Sequence, residues 1–366
     1  MHFTVTKEKL QNAVVLAERV VGKKESLPVL SCVLLSANKD FSVRATNLEA
    51  GIEVHVPGDV GEKGVVAVPV SVFSQTLRAI AGDKVSLKVE SENLLVESRG
   101  SKTLIKAIPH GEFPDLSSSE KGKYGVNIHR QTLLQALQAV SYAASPSMIR
   151  PELGSVFVSI KNGALITAAT DSFRLAEKTF LKAADDDDKE VLIPLKHALE
   201  VSHILERIPD EQISLIADES QLVLRASGLE YVSRVVEASF PNYKEIVPKT
   251  FTTEATLLKA DLIEMLRKAR VFSGSEQKVG LHVYPKKKIF DATAQSAAIG
   301  EMSDSIDAAL SGEDIDINFN IAYLSDCLPL IQSESVTLGF SGGGKPLVIR
   351  SASDLTFTYL VMPLNR

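Results

Sequence analysis

The chain has 366 residues, 45% of them apolar and 23% charged, the balance of a soluble globular protein and more chain than one ordinary core accommodates. No apolar run nears the roughly 20 residues that span a bilayer, and the opening MHFTVTKEKL has no apolar signal core, so a cytoplasmic protein without a membrane segment is expected. Cys32 and Cys327, both in apolar stretches, exclude a disulfide framework, and a net charge of −6 gives no overall basic footprint for nucleic acid.

From the N-terminus, Leu10, Ala13, Val14, Ala17, Val20 and Val21 recur at spacings of three and four and predict an amphipathic helix. Lys9, Asn12, Arg19 and Lys23 lie off that stripe. The dipeptide Ala45-Thr46 comes next, then VPVSVFSQTLRAI from Val68, a second helix with Pro69 near its start, where proline is tolerated. Val85-Ser86-Leu87 and Asn93-Leu94-Leu95-Val96 read as strands, Phe113-Pro114-Asp115 closes the set, and Ser117 to Gly125 reads as a linker.

The same order then returns. His129 to Ala144 carries Leu133, Leu134, Leu137 and Val140 on one face; Ala169-Thr170 follows, then IPLKHALEVSHIL from Ile193, strands at Ile213-Ser214-Leu215 and Gln221-Leu222-Val223-Leu224, and Phe240-Pro241-Asn242. On the second of these helices Lys196, Glu200, His203 and Arg207 form a polar face opposite Ala198, Val201, Leu205 and Ile208. The third copy has Leu262, Ile263, Leu266 and Ala269, with Lys268 and Arg270 closing the helix, then Ala292-Thr293, FNIAYLSDCLPLI from Phe319, and strands at Val336-Thr337-Leu338 and Pro346-Leu347-Val348-Ile349. Pro69 and Pro194 stand 125 residues apart. Several matches in constant order and near-constant spacing predict three homologous domains, 1–122, 123–249 and 250–366. Each is an α+β unit with two helices on one side of antiparallel sheet.

No catalytic constellation accompanies this pattern. The seven histidines are scattered, and SxxK matches such as Ser118 to Lys121 and Ser275 to Lys278 have no companion elements. The run Asp185 to Asp188 lacks the glycine and terminal glutamate of a calcium loop. Gly339 to Pro346 fits a phosphate loop up to its last position, where proline replaces the magnesium-binding hydroxyl and a strand, not a helix, follows. A glycine-rich hairpin turn is expected there, and no cofactor, metal or enzymatic activity anywhere.

Local motifs sharpen the reading. Leu27-Pro28-Val29-Leu30-Ser31, Arg150-Pro151-Glu152-Leu153, Thr170-Asp171-Ser172-Phe173-Arg174-Leu175-Ala176 and the ending Tyr359-Leu360-Val361-Met362-Pro363-Leu364 resemble the LPVLS, RPxL, TDxxRLA and YVVMPM motifs of the bacterial DNA polymerase III beta subunits, the sliding clamps. The resemblance spans the chain. It implies the DNA clamp fold: a head-to-tail homodimer whose six domains close into a ring, helices lining the hole and sheets forming the wall. It implies a processivity factor that encircles double-stranded DNA without reading sequence. Its partners would be the replicative polymerase, the clamp loader and repair proteins, which dock through short linear motifs. A clamp-fold scaffold without a DNA role is the alternative.

Site residues follow by position and charge. DNA contacts are expected at Lys23, Lys24, Arg78, Arg150 and Lys196, the lysine at 24 by its place before LPVLS. The resemblance places the wall of a peptide pocket at Leu153, Thr170, Phe173, Arg174 and Leu175, completed by Pro241, Ile246, Leu360 and Met362. Arg174 would lay its stem along apolar surface while its head fixes a peptide carbonyl. Thr103 and Ile105 on one side and Phe272 on the other are the expected dimer contacts.

Overall fold

The structure, a computed structural model, describes residues 1–22, 27–115, 125–184 and 188–364. Lys23, Lys24, nearly all of the Ser117 to Gly125 linker and Asp185 to Asp187 lie outside the described residues. Six α-helices are present among the described residues, where the apolar periodicity predicts them: α1 Lys7–Val20, α2 Val70–Ala79, α3 Arg130–Val140, α4 Leu195–Arg207, α5 Lys259–Phe272 and α6 Ile321–Asp326. Pro69 and Pro194 are the last residues of strands and the N-caps of α2 and α4. Their rings set φ at −55° and −48° just where the chain turns from strand to helix. In the third copy Asn320 takes this place, and its side-chain oxygen accepts from the N–H groups of Ala322 (2.9 Å) and Tyr323 (3.3 Å). α6 is short because Pro329 cannot continue an α-helix; the chain goes on as the 3₁₀ turn Leu328–Leu330.

The chain forms two compact units, Met1–Leu134 with Ala184–Glu237, and Gln135–Ala183 with Ala238–Arg366. They cut across the central sequence repeat. In the first unit an eight-stranded antiparallel sheet runs in the order Val126–His129, Gln212–Ala217, Gln221–Ala226, Leu229–Arg234, Ala50–Val56, Phe41–Thr46, Cys32–Ala37, Gly64–Pro69. Strands of the first and second repeats thus join edge to edge, with Tyr231 opposite Ile52. A five-stranded sheet, Asp59–Glu62, His2–Thr6, Lys84–Glu90, Asn93–Ser98, Ser101–Ile105, completes the unit. The two sheets meet where Phe3 stacks on Phe41, ring centroids 3.9 Å apart. Gly58 is required beside this pair, since a Cβ there would lie 2.6 Å from the Phe3 ring.

In the second unit one sheet runs Ser155–Lys161, Ala164–Thr170, Arg174–Phe180, Phe357–Val361, Leu347–Ser351, Ser335–Phe340, Thr253–Leu258, Ala308–Gly312. Here the second and third repeats join, Leu175 opposite Leu360. A four-stranded sheet, Gly300–Ser305, Ile289–Ser296, Lys278–Tyr284, Ile315–Asn320, carries α5. The glycine-rich segment is the hairpin turn between Ser335–Phe340 and Leu347–Ser351, so it does not open a helix as a phosphate loop does. Cys32 and Cys327 are buried free thiols, and burial pushes the Cys327 pKa up. No described helix is long and apolar enough to cross a membrane.

One helix face differs from expectation. Glu200 does not share the exposed face of Lys196 and Arg207; it is buried in the α4 core face. Tyr231, also buried, donates its hydroxyl hydrogen to Glu200 Oε2 at 2.6 Å. A 3.6-residue period places Glu200 at the border of polar and apolar stripes, and the strand beneath supplies the donor that lets it go inward.

Candidate peptide-binding and nucleic-acid-facing sites

The second unit holds the TDxxRLA motif in a tight turn between two sheet strands. Asp171 Oδ1 accepts from the N–H groups of Phe173 (2.9 Å) and Arg174 (3.0 Å), and the Thr170 hydroxyl donates to the Arg174 carbonyl at 2.6 Å. Ser172 takes φ of 79°, which the aspartate-closed turn enforces. The consequence is that Phe173 stands 60% exposed at the tip while Leu175, two residues on, is buried. Arg174 lies along the turn. Its Nε contacts Asp171 Oδ2 at 3.0 Å, its Nη1 donates to Asp326 Oδ2, and its guanidinium sits 4.6 Å from the Tyr323 ring centroid. Burial works against this charge, but Tyr359, Asp326 and Asp171 outweigh it and raise the Arg174 pKa. The arginine head is therefore a clamp joining the turn to α6, with its Nε and Nη1 committed to carboxylates.

Beside this turn lies an apolar cluster of Ala168, Leu175, Tyr243 and Leu360, against which Met362, Val247, Phe157 and Phe240 pack partly buried. The structure thus brings together Leu175, Leu360 and Met362, with Met362 N–H donating to the Phe173 carbonyl at 2.8 Å. Pro241 is half-buried at the start of the turn Tyr243–Glu245, and Ile246 follows that turn, 54% exposed. Thr170 acts through its turn-closing hydroxyl. Leu153 is buried within the loop after α3, its carbonyl accepting from Ser145 N–H at 2.8 Å, and is not a member of the cluster. Sequence reasoning missed Tyr243, Val247 and Phe240 in the cluster, and Tyr323 and Asp326 as holders of Arg174. The aromatic-rich stretch Phe240 to Val247 was a legible signal for the first three. For Asp326 there was none, since it lies 152 residues from Arg174 in sequence.

The candidate DNA-facing cations divide into those placed and those not. Lys23 and Lys24 lie outside the described residues. Arg78 closes α2, exposed, with Nη2 3.1 Å from Glu18 Oε2; Lys196 opens α4, exposed, with Nζ 3.7 Å from Glu49 Oε2; Arg150 sits in the loop after α3, Nε 3.0 Å from Glu152 Oε1. Such exposed pairs contribute little and exchange partners readily. Within the first unit α1 packs beside α4, and Lys9, Arg19 and Arg207 are exposed on them. Burial lowers the pKa of His203, and Arg19 and Arg207 lower it further against the opposing pull of Glu206. On α5, Arg267, Lys268 and Arg270 are exposed, with Lys268 held by Asp304 and Glu264.

Of the expected dimer contacts, Thr103 lies on the outer strand Ser101–Ile105, where Leu104 is 57% exposed and Ile105 faces the core. Phe272 ends α5, its ring beside Gly300 of the outer strand Gly300–Ser305.

Comparison with known proteins decides the family. The sequence matches the DNA polymerase III beta subunit N-terminal domain over residues 1–117, the central domain over 127–242 and the C-terminal domain over 244–365. The chain belongs to the DNA polymerase III beta subunit family. Among relatives, it is 25% identical to the beta sliding clamp of Bacillus subtilis over 379 residues and 24% identical to that of Pseudomonas aeruginosa over 369, covering 100% of both chains in each case. The crystal structure of the DNA polymerase III beta subunit of Thermotoga maritima matches with a TM-score of 0.95 at 25% identity, over 100% of this chain and 99% of that one. The family carries the three-domain clamp fold, helices on antiparallel sheet, that the repeats predict.

Proposed function

We infer that this chain is a DNA sliding clamp: a homodimeric ring that encircles duplex DNA and confers processivity on the replicative polymerase. The carrying observation is the match of all three family domains in order along the chain. The physics of the role agrees with the chain's charge. A clamp must hold DNA without reading it, and phosphate-directed electrostatics is sequence-independent and permits sliding. Topological enclosure lets a few weak contacts suffice. Arg78, Lys196 and the exposed cations of α1, α4 and α5 are suited to this, with Lys23, Lys24 and Arg150 as further contacts; the net charge of −6 then resides elsewhere on the surface. The role requires no catalytic group, cofactor or metal, and its setting is the cytoplasm.

Polymerase, clamp loader and repair proteins would dock as short linear peptides on the apolar cluster of the second unit. Leu175, Leu360 and Met362 form its floor, Tyr243 and Val247 one wall, Phe173 and Ile246 the exposed rim. This combination of apolar surface with a few fixed polar groups is what such a peptide needs. The ring would close by pairing the outer strand Ser101–Ile105 of one chain with Gly300–Ser305 of the other, which also removes exposed strand edges. The test is retention after loading: the protein should stay on closed circular DNA and run off the same DNA once it is linearised. Equal loss from both forms would leave the reading of a clamp-fold scaffold without a DNA role.

A further inference from the structure

The first unit contains a second copy of the turn that builds the peptide site. Thr46 donates its hydroxyl to the Ala50 carbonyl at 2.8 Å, as Thr170 does to Arg174. Asn47 Oδ1 accepts from Glu49 N–H (3.0 Å) and Ala50 N–H (2.8 Å), as Asp171 Oδ1 accepts from Phe173 and Arg174. Leu48 holds φ of 73° where Ser172 holds 79°. Ala50 pairs with Ser233 as Arg174 pairs with Val361, and Arg234 N–H donates to the Glu49 carbonyl at 2.9 Å where Met362 N–H donates to Phe173 at 2.8 Å. By register, Glu49 stands in the place of Phe173, Val232 in that of Leu360 and Arg234 in that of Met362.

This second turn borders a cleft of about 310 Å³, with Glu49, Pro114, Asp115 and Arg234 among its lining. The backbone frame is the same and the chemistry is different: the bulky Phe173 and Met362 are replaced by charged side chains. Glu49 lies 3.7 Å from the Lys196 ammonium in an exposed pair, and Asp115 has an interaction of its own. The guanidinium of Arg234 is exposed and makes no ion pair among the described residues. A guanidinium at the rim of a cleft, with no ion pair among the described residues, can take a carboxylate bidentately.

We propose that this cleft is a second linear-peptide dock, one that takes an acidic peptide and seats a carboxylate on Arg234. The proposal rests on the reading of the Leu175–Leu360–Met362 cluster as a peptide dock. The complete protein is titrated with two fluorescein-labelled probes of ten residues, one of alternating glutamate and leucine, the other an uncharged peptide of glutamine, leucine and phenylalanine, read by fluorescence anisotropy. The acidic probe should bind, and Arg234→Glu should weaken it about fivefold or more, the order expected when an exposed charge pair becomes a repulsion. Met362→Ala should leave the acidic probe unchanged and weaken the uncharged one. Arg234 is exposed, so its variant retains the fold, and the uncharged probe checks this by binding it as it binds the parent protein. No binding of the acidic probe, or equal binding to the parent and Arg234→Glu, overturns the second dock. An uncharged probe indifferent to Met362→Ala overturns the reading of the first dock instead.

Discussion

At the scale of single residues, the candidate peptide site separates anchors from supports. Met362 packs against the cluster from a half-buried position, and a thioether adapts to several partners. Met362→Ala should weaken a polymerase-derived peptide by about 1–2 kcal/mol, as for truncation of an interface anchor, measured by titration of a labelled peptide. Asn365 and Arg366 lie outside the described residues, and deleting them should cost less than Met362→Ala in the same assay. A different residue reports on acid stability. Burial pushes the Asp354 carboxyl up, but Lys178 at 2.8 Å and the hydroxyl and N–H of Thr356 pull harder and hold it at about 2, below its ordinary 3.8. A depressed carboxyl stabilises the fold above its unfolded pKa and loses that contribution as pH falls through its folded one. The stability difference between the parent protein and Asp354→Asn should therefore be present at neutral pH and shrink between pH 4 and pH 2. Thermal unfolding across that range checks it; a constant difference would show that Lys178 does not hold this carboxyl. The effect is small because Asp354 is 42% exposed.

At the scale of elements, α4 is pinned by one buried polar pair. Burial raises the Glu200 pKa, and the Tyr231 hydroxyl opposes that shift by donating to the carboxylate. Tyr231→Phe removes the donor and leaves a buried acceptor unsatisfied, which should cost about 1–3 kcal/mol in urea denaturation. Since the carboxylate is the form that loses its partner, the cost should grow as pH rises and Glu200 ionises. A cost independent of pH would mean that Glu200 does not change its protonation across the range measured. Elsewhere the elements show how one design is varied. The strand-to-helix corner is made by proline in two repeats and by a capping asparagine in the third. The asparagine fixes the start of the short helix that carries Tyr323 and Asp326, and through them Arg174.

At the scale of the whole molecule, open strand edges are what remains to be covered. Strands of neighbouring repeats pair within each unit, so Leu229–Arg234 and Arg174–Phe180 are not outer strands. Ser101–Ile105 and Gly300–Ser305 are outer strands, and Leu104 places an exposed apolar side chain on the first of them. Open edges of this kind are sites for pairing with another chain. Native mass measurement at micromolar concentration should give two chains, and Leu104→Lys should shift the protein toward one chain without loss of helical signal. A single chain for the parent protein would remove the ring.

The order of six helices, the strand sets and the hairpin at Gly339 to Pro346 were legible in the sequence. Each is a local matter of apolar period, proline geometry or glycine turn, and the threefold recurrence confirmed each element by the other two. The motif residues of the candidate peptide site were singled out by resemblance, and the turn they form is again local, closed by Thr170 and Asp171 within five residues. Other features were decided by tertiary structure alone. Glu200 is buried because a tyrosine 31 residues away meets it, Arg174 is clamped because Asp326 does, and the compact units divide the central repeat because strands of different repeats pair. The matching turn at Thr46 to Ala50 gains its meaning only from Arg234 laid beside it across the sheet. Periodicity reports which side of an element faces inward; it carries no record of which distant residue waits there, and that partner sets whether a polar group is buried, paired or free.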